Sequence, residues 1–203
     1  MPTASETEWY DQLNHSAMTY GLASRGLAIA SKEFSSTVYQ ISPLPKNRTF
    51  LAMRKPGESQ VTVYAQWRSL ELPELMRANG PIIHELGRQW VVTIYSLWET
   101  SYRKRFAPDA GLLDEHELVV PVMGDLKRLR NDIVHHGGIA SKNNSGKCSL
   151  LSHWVTIGHP IELTELMILE FMEFWGQTVI GPVLGDDINP KFGLNVVEND
   201  GFE

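Results

Sequence analysis

Residues 81–106 constrain the fold most, because this stretch is apolar around most of a helix. Its main apolar face repeats every three or four residues and covers about a third of the helical circumference: Ile83, Leu86, Trp90, Ile94, Leu97 and Trp98. Further apolar residues extend this surface to the other side: Val91, Val92, Tyr95 and Tyr102. A helix that is apolar nearly all round must be packed by several partners. The stretch therefore predicts the central helix of a bundle.

Three other segments also have helical periodicity. The first runs from about Thr7 to Ser31, and the last from Pro160 to about Ile180. The third runs from about Glu117 to His136, where Val122, Leu126, Leu129 and Ile133 form a core stripe and Gly137-Gly138 ends the helix. These segments together predict helices that pack around the central one.

Other segments favour extended chain or loop. Residues 35–41 and Leu150–Ile157 are predicted to be extended. Two β-prone runs, Thr49–Arg54 and Gln60–Trp67, flank a Lys-Pro-Gly-Glu-Ser turn and predict a hairpin that packs as a flap on the helical body. Residues 139–149 are small and polar, and they predict a mobile loop.

The predicted fold is all-α, an up-and-down bundle of four to five helices with a small β-hairpin insertion near residues 48–67. We expect a single domain over residues 1–203. Its parts are an N-terminal helical segment, the hairpin, the helical core and a loop-like tail, over residues 1–46, 47–67, 80–181 and 182–203.

Composition limits the classes of function. A net charge of −6 argues against bulk electrostatic binding of nucleic acid or of an anionic membrane, so a polyanion would need a local basic patch. The single cysteine, Cys148, excludes an intrachain disulfide and a cysteine-based metal cage. The polar, acidic N-terminus and the lack of an apolar run of membrane length predict a soluble cytoplasmic protein.

Reactive side chains concentrate at the end of the third helix, in residues 129–138. At about 100° per residue, Arg130 lies on one flank of the core stripe and His136 on the opposite shoulder, close to the core. Asn131 and His135 share a face that points away from the core, and Arg130 lies about 140° from His135. A carboxamide, a fixed cation and a group that titrates near neutrality suit phosphoryl transfer or acid–base chemistry.

The same stretch also has a purely structural interpretation. Histidines in the last turn of a helix interact favourably with the negative end of the helix dipole. Arg128, Arg130 and Asp132 would then be ordinary surface charges. Residue chemistry alone leaves both interpretations open.

A resemblance favours the catalytic interpretation. Residues 130–135, Arg-Asn-Asp-Ile-Val-His, resemble the Arg-Asn-x-x-x-His form of the signature of the HEPN superfamily. The preceding long helix, with Trp98-Glu99 and Tyr102-Arg103, is similar to the family's first core helix. The resemblance covers about residues 82–180, roughly half the chain.

The resemblance implies a helical dimer in which two copies of the motif converge, and metal-independent endoribonuclease activity of a toxin or phage-defence type. It implies that His135 acts as general base or acid on a ribose 2′-OH, which attacks the adjacent phosphate to give a 2′,3′-cyclic phosphate. Arg130 would hold that phosphate, and Asn131 would orient His135 or a phosphate oxygen. Glu99 is a supporting acid, and His136 is the alternative histidine under the looser spacing of the signature.

The partners that follow are RNA, a second copy of the chain and an antitoxin protein. Lys127, Arg128 and Arg103 are the main predicted RNA-binding cations, and Lys142 and Lys147 add to them. Four histidines lack the spacing of metal ligands, so we predict no metal and no cofactor. They are His135, His136, His153 and His159. The alternatives to a ribonuclease are a catalytically silent HEPN-like dimer that binds nucleotides or proteins, and a helical interaction protein.

Overall fold

The computed structural model describes residues 3–41, 48–53, 62–68 and 71–176, and in them the chain is all-α in class, as predicted. Four long helical segments make the bundle. Their helices are α1 (Ala4–Ile41), α3 (Pro81–Leu97) continuing into α4 (Arg103–Asp109), α5 (Pro121–His135) and α6 (Glu165–Trp175), with a short α2 (Leu72–Met76) before α3. A π-helical turn, Trp98–Tyr102, joins α3 to α4.

Two strands lie between α1 and α2. Strand β1 (Arg48–Met53) pairs antiparallel with β2 (Thr62–Arg68), and the register shifts between Leu51 and Ala52. The predicted turn at residues 55–59 and the predicted tail at residues 182–203 lie outside the described residues.

The core is built around a cluster of aromatic side chains from three helical segments. Trp9 of α1 contacts Trp98 and Trp175, with ring centroids 5.8 and 5.5 Å apart, and Trp98 lies 5.3 Å from Trp175. Tyr102 and Phe106 complete the cluster, at 4.6 Å from Trp9 and 5.6 Å from Trp98. Helix α1 is therefore an integral part of the core, although the resemblance does not extend to it.

Two predictions of extended structure are wrong. Residues 35–41 continue α1 as helix, and the hydroxyl of Ser31 on this half of the helix donates a hydrogen bond to the carbonyl of Pro73. The β propensity of such a run is a weak and context-dependent signal. Residues 150–157 form no strand and contain a 3₁₀ turn, Ser152–Trp154, because the N–H groups of Leu150 and Leu151 bind the carboxylate of Asp125.

Helix boundaries also differ from the predictions. Helix α5 begins at Pro121 instead of Glu117, and proline suits this position because a first-turn N–H has no partner in the helix. Helix α6 begins at Glu165 instead of Pro160, since the hydroxyl of Thr164 caps it by accepting a hydrogen bond from the Met167 N–H. No described helix is long and apolar enough to cross a membrane.

The close approach of α3 to the segment before α6 requires a glycine. A Cβ at Gly87 would lie 2.6 Å from the Cβ of Leu163, whereas a Cβ at Gly26 of α1 would meet nothing within 4 Å. We expect Gly87→Ala to lower the free energy of unfolding by about 1–3 kcal/mol through overpacking. Gly26→Ala, the matched control, should raise it by about 0.5–1 kcal/mol, because alanine favours a helix interior. Urea unfolding of both variants measures this difference, and equal effects would contradict the described packing.

Candidate functional site

Arg130 is half-buried on α5, close enough to Tyr95 of α3 for its charge to act on that phenol. Its Nη1 donates a hydrogen bond of 3.2 Å to Oδ1 of Asn131, and its buried Nε has no partner. Other arginines of the described chain form ion pairs with a carboxylate within 4.0 Å: Arg25, Arg68, Arg77, Arg88, Arg105 and Arg128. Among the described residues, Arg130 has no such carboxylate. It is thus a partly buried cation that retains donors for an anion.

The side chains opposite Arg130 come from α3, the π-helical turn and α4. The Tyr95 hydroxyl donates a hydrogen bond of 3.1 Å to the Glu99 carboxylate. Burial and Glu99 raise the pKa of Tyr95 to about 12, while the nearby positive charges of Arg103 and Arg130 act in the opposite direction. Two arginines therefore lie close to one buried phenol, at a π-helical turn of the kind often found at functional sites.

Glu99 and Arg103 have other partners than the resemblance implies. Within the described part of the chain, no ion pair within 4.0 Å joins Glu99 to Arg130, and Glu99 is held by Tyr95 instead. Nη2 of Arg103 donates to the carbonyls of His116 and Leu118, so this arginine fastens the segment before α5. Its buried Nε is unpaired, as in Arg130.

The two histidines lie at the open end of α5. His135 is exposed, and no hydrogen bond or ion pair joins it to Arg130 in the described chain. His136 is also exposed, with 52% of its side chain accessible. Its Nε2 lies 3.9 Å from a carboxylate oxygen of Asp132. The single chain therefore brings Arg130 and Asn131 together, and in the described residues no hydrogen bond or ion pair joins His135 to Arg130.

Asp132 is fully buried, so its interpretation as an ordinary surface charge is wrong. Its carboxylate accepts hydrogen bonds from the Ser141 N–H (2.8 Å) and hydroxyl (2.7 Å) and from the Asn144 amide (2.7 Å). Ser145 donates its N–H at 3.1 Å and its hydroxyl at 2.5 Å. Burial acts to raise the pKa of Asp132, but these donors outweigh it and hold the pKa well below its usual range.

Asp125, two turns earlier on α5, is a second buried anchor. It accepts the N–H groups of Ser149, Leu150 and Leu151 at 2.8, 2.7 and 3.0 Å, and it pairs with Arg128 at 2.6 Å. The loop predicted to be mobile is instead fastened to α5 at both ends. Sequence reasoning missed these anchors, although their spacing of seven residues places both on one helix face.

The burial of Asp125 and Asp132 also determines which charged side chains residues 118–161 expose. Residues 118–161 contain five basic side chains and only two acidic ones, Asp125 and Asp132. Both carboxylates are inside the protein and fully hydrogen-bonded, so this region exposes basic groups and no acidic side chain. The exposed charged side chains of residues 118–161 are thus all basic, in a chain of net charge −6. Lys127 is exposed there, while Arg128 is 38% exposed beside Asp125.

A groove of about 370 Å³ runs between α3 and the end of α5. Arg88, Gln89 and Val92 line one wall, and Val134 and Gly138 line the other. Gly138 has a φ of +79°, and a Cβ there would lie 3.1 Å from Cδ of Arg88. The Gly-Gly end of α5 therefore meets the left-handed backbone requirement of a helix C-cap and lets Arg88 approach closely.

The other polar constellations do not join this site. His153 contacts both carboxylate oxygens of Glu170, at 2.8 and 3.0 Å, and the Trp154 indole donates to the same carboxylate at 2.8 Å. Burial raises the pKa of the Cys148 thiol to about 12, which makes it a poor nucleophile. In the described residues, no group of three or more histidine, cysteine, aspartate or glutamate side chains is arranged to hold a metal ion.

Comparison with known proteins finds no matching family model, no matching curated protein and no matching solved structure.

Proposed function

We propose that this protein is a metal-independent endoribonuclease of HEPN type that acts as a homodimer. The observation that carries the proposal is the state of Arg130, which is half-buried without a carboxylate partner among the described residues and bonded to Asn131. An arginine in this state is suited to bind a phosphate and to stabilise the charge that develops on it during transfer. The exposed basic side chains of residues 118–161 support an anionic substrate.

In this mechanism, His135 takes the proton of a ribose 2′-OH, and the oxygen attacks the adjacent phosphorus. The bond from phosphorus to the 5′-oxygen breaks, which leaves a 2′,3′-cyclic phosphate on one fragment. The leaving 5′-oxygen takes a proton from an imidazolium, supplied by His135 or by the same residue of the second copy. Arg130 carries the phosphate charge, Asn131 fixes the arginine, and Glu99 acts through Tyr95 as a supporting acid.

A second copy of the chain would supply the histidine that a single chain does not place beside Arg130. Arg130 and His135 lie about 140° apart on one helix and share no contact. A dimer that apposes the exposed faces of two α5 helices would bring His135 of one copy towards Arg130 of the other. We place the activity in a toxin or phage-defence system of the cytoplasm, with an antitoxin protein as a further partner.

A catalytically silent HEPN-like dimer that binds nucleotides or proteins is the second candidate. The observation that favours it is the lack of any contact between His135 and Arg130 in the protomer. The two functions share the phosphate-binding role of Arg130 and differ only in whether His135 reaches the 2′-OH.

The test is cleavage of a fluorescently labelled single-stranded RNA in the presence of excess EDTA. We expect cleavage, with products that end in a 2′,3′-cyclic phosphate, because the attacking group belongs to the substrate. The matched control is the same oligonucleotide with 2′-deoxyribose at the mapped cleavage position, which should stay intact at that position. Binding without cleavage would favour the silent dimer, and cleavage of the deoxy substrate would refute attack by the 2′-OH.

A further inference from the structure

The loop after α5 is joined to the last turn of that helix by a buried carboxylate. Asp132 is the residue next to Asn131 and accepts five hydrogen bonds from Ser141, Asn144 and Ser145. One of its oxygens lies 3.9 Å from the ring of His136. The loop and the last turn of α5 therefore form one unit, and the position of the loop relative to the histidines is fixed through Asp132.

The other end of the loop is fixed in the same way. Asp125 binds three successive backbone N–H groups at residues 149–151, and the Gly146 N–H donates 2.8 Å to the Ser141 carbonyl. Because both ends are fixed, the loop loses less conformational entropy on binding a ligand than a free polar loop would. Such a preformed loop suits recognition better than a free one.

The exposed side chains of the loop suit a phosphate backbone. Lys142, Asn143 and Lys147 are exposed, and residues 137–149 contain neither an acidic nor an aromatic residue. Lysines and amides contact phosphate and sugar groups, whereas stacking on bases needs aromatic rings. The loop follows His135 and His136 directly, so a chain bound there would run past the histidines.

We propose that the loop of residues 139–147 is an arm that binds RNA phosphates flanking the cleavage site through Lys142 and Lys147, and that Asp132 is the positioning residue that holds it. This inference rests on the proposed function for its ligand. It assigns to the loop a binding role that is separate from the chemistry of Arg130 and His135.

The decisive experiment measures RNA binding apart from cleavage. In a His135→Ala background, Lys142→Ala and Lys147→Ala are each titrated with fluorescein-labelled single-stranded RNA at several salt concentrations. Each should weaken binding by on the order of fivefold and reduce the salt slope of log K by about 0.7, the loss of one phosphate contact. Lys32→Ala, which removes the same charge from the exposed surface of α1, is the matched control and should change neither quantity.

Asp132→Asn tests the positioning role. The amide keeps the size of the carboxylate but replaces one accepting oxygen with a donor, so N–H groups of Ser141 or Ser145 lose their acceptor. We expect faster trypsin cleavage after Lys142 and Lys147, and with His135 intact a larger rise in KM than fall in kcat. Asp125→Asn changes the other end of the loop. It should loosen residues 149–151 before the rest of the loop, because the Asp125 carboxylate binds their backbone N–H groups. If Asp132→Asn does not fold, the two lysine variants still decide the proposal.

The outcomes separate this inference from the proposed function. RNA binding with unchanged affinity and salt slope in both lysine variants, while the protein with His135 intact cleaves RNA, would refute the arm and leave the ribonuclease intact. RNA binding that depends on both lysines in a protein that never cleaves RNA would support the arm and refute the ribonuclease. A wild-type protein that binds an acidic protein through the loop but binds no RNA would overturn both.

Discussion

Replacement of Arg130 by alanine is expected to reduce kcat for RNA cleavage by about 10³-fold, the effect of removing a charged donor that stabilises a transition state. The side chain has a free buried Nε and no carboxylate partner in the described chain, so its charge is available to the phosphate. Arg130→Lys retains the charge but loses the planar fork, and it should recover only part of the rate. Initial rates at saturating RNA measure both effects.

Arg77→Ala is the matched control for this experiment. Arg77 is exposed and pairs with Glu74, so its loss removes the same charge without touching the site. Its kcat should stay within a factor of about two of the unmodified protein, because exposed ion pairs contribute little. Equal losses in Arg77→Ala and Arg130→Ala would show a general charge effect and contradict the catalytic role.

Mixing two inactive variants tests whether a site is shared between chains. Arg130→Ala and His135→Ala should each be inactive as homodimers. If each site uses Arg130 of one chain and His135 of the other, a heterodimer of the two variants has one intact site of two. After unfolding and refolding together, an equal mixture should regain about a quarter of the original activity, because about half the dimers are mixed. No recovery, despite heterodimers seen by native mass spectrometry, would place both residues in the same chain's site.

The sequence predicted the helical frame well because its signal is local. The apolar stripe from Val122 to Ile133 and the glycines after His136 fix α5 to within a few residues. The same local reasoning failed at residues 35–41 and at residues 150–157. At residues 150–157 a distant group, the Asp125 carboxylate, decides the backbone conformation.

The candidate site shows the same limit of sequence reasoning. The helical wheel correctly separated Arg130 from His135, because one helix sets their relative angle. It could not give the role of Asp132, because an aspartate near a helix end is ordinarily exposed. Its burial depends on Ser141, Asn144 and Ser145, which return to it only through the fold of the loop. Small polar residues that follow a helical Asp could have suggested such an anchor.

Trp9→Ala is expected to lower the free energy of unfolding by about 3–5 kcal/mol, the usual loss when a large core side chain is deleted. Trp9 has no exposed surface and contacts Trp98, Tyr102 and Trp175. This loss is a large part of the stability of an ordinary domain. Chemical denaturation with guanidinium, followed by circular dichroism, gives the value.

Two further variants of α1 show whether the loss of stability in Trp9→Ala comes from the buried aromatic ring. Trp9→Phe keeps an aromatic ring and removes the buried indole N–H, which has no partner, so it should lose less stability than Trp9→Ala. Leu22→Ala changes a side chain that is 64% exposed and should alter stability by no more than about 0.5 kcal/mol. Trp98 begins the π-helical turn that carries Glu99, and Trp9 of α1 packs against Trp98. Helix α1 therefore supports the turn that holds Glu99. A Trp9→Ala protein as stable as Leu22→Ala would mean that α1 contributes little to the stability of the core.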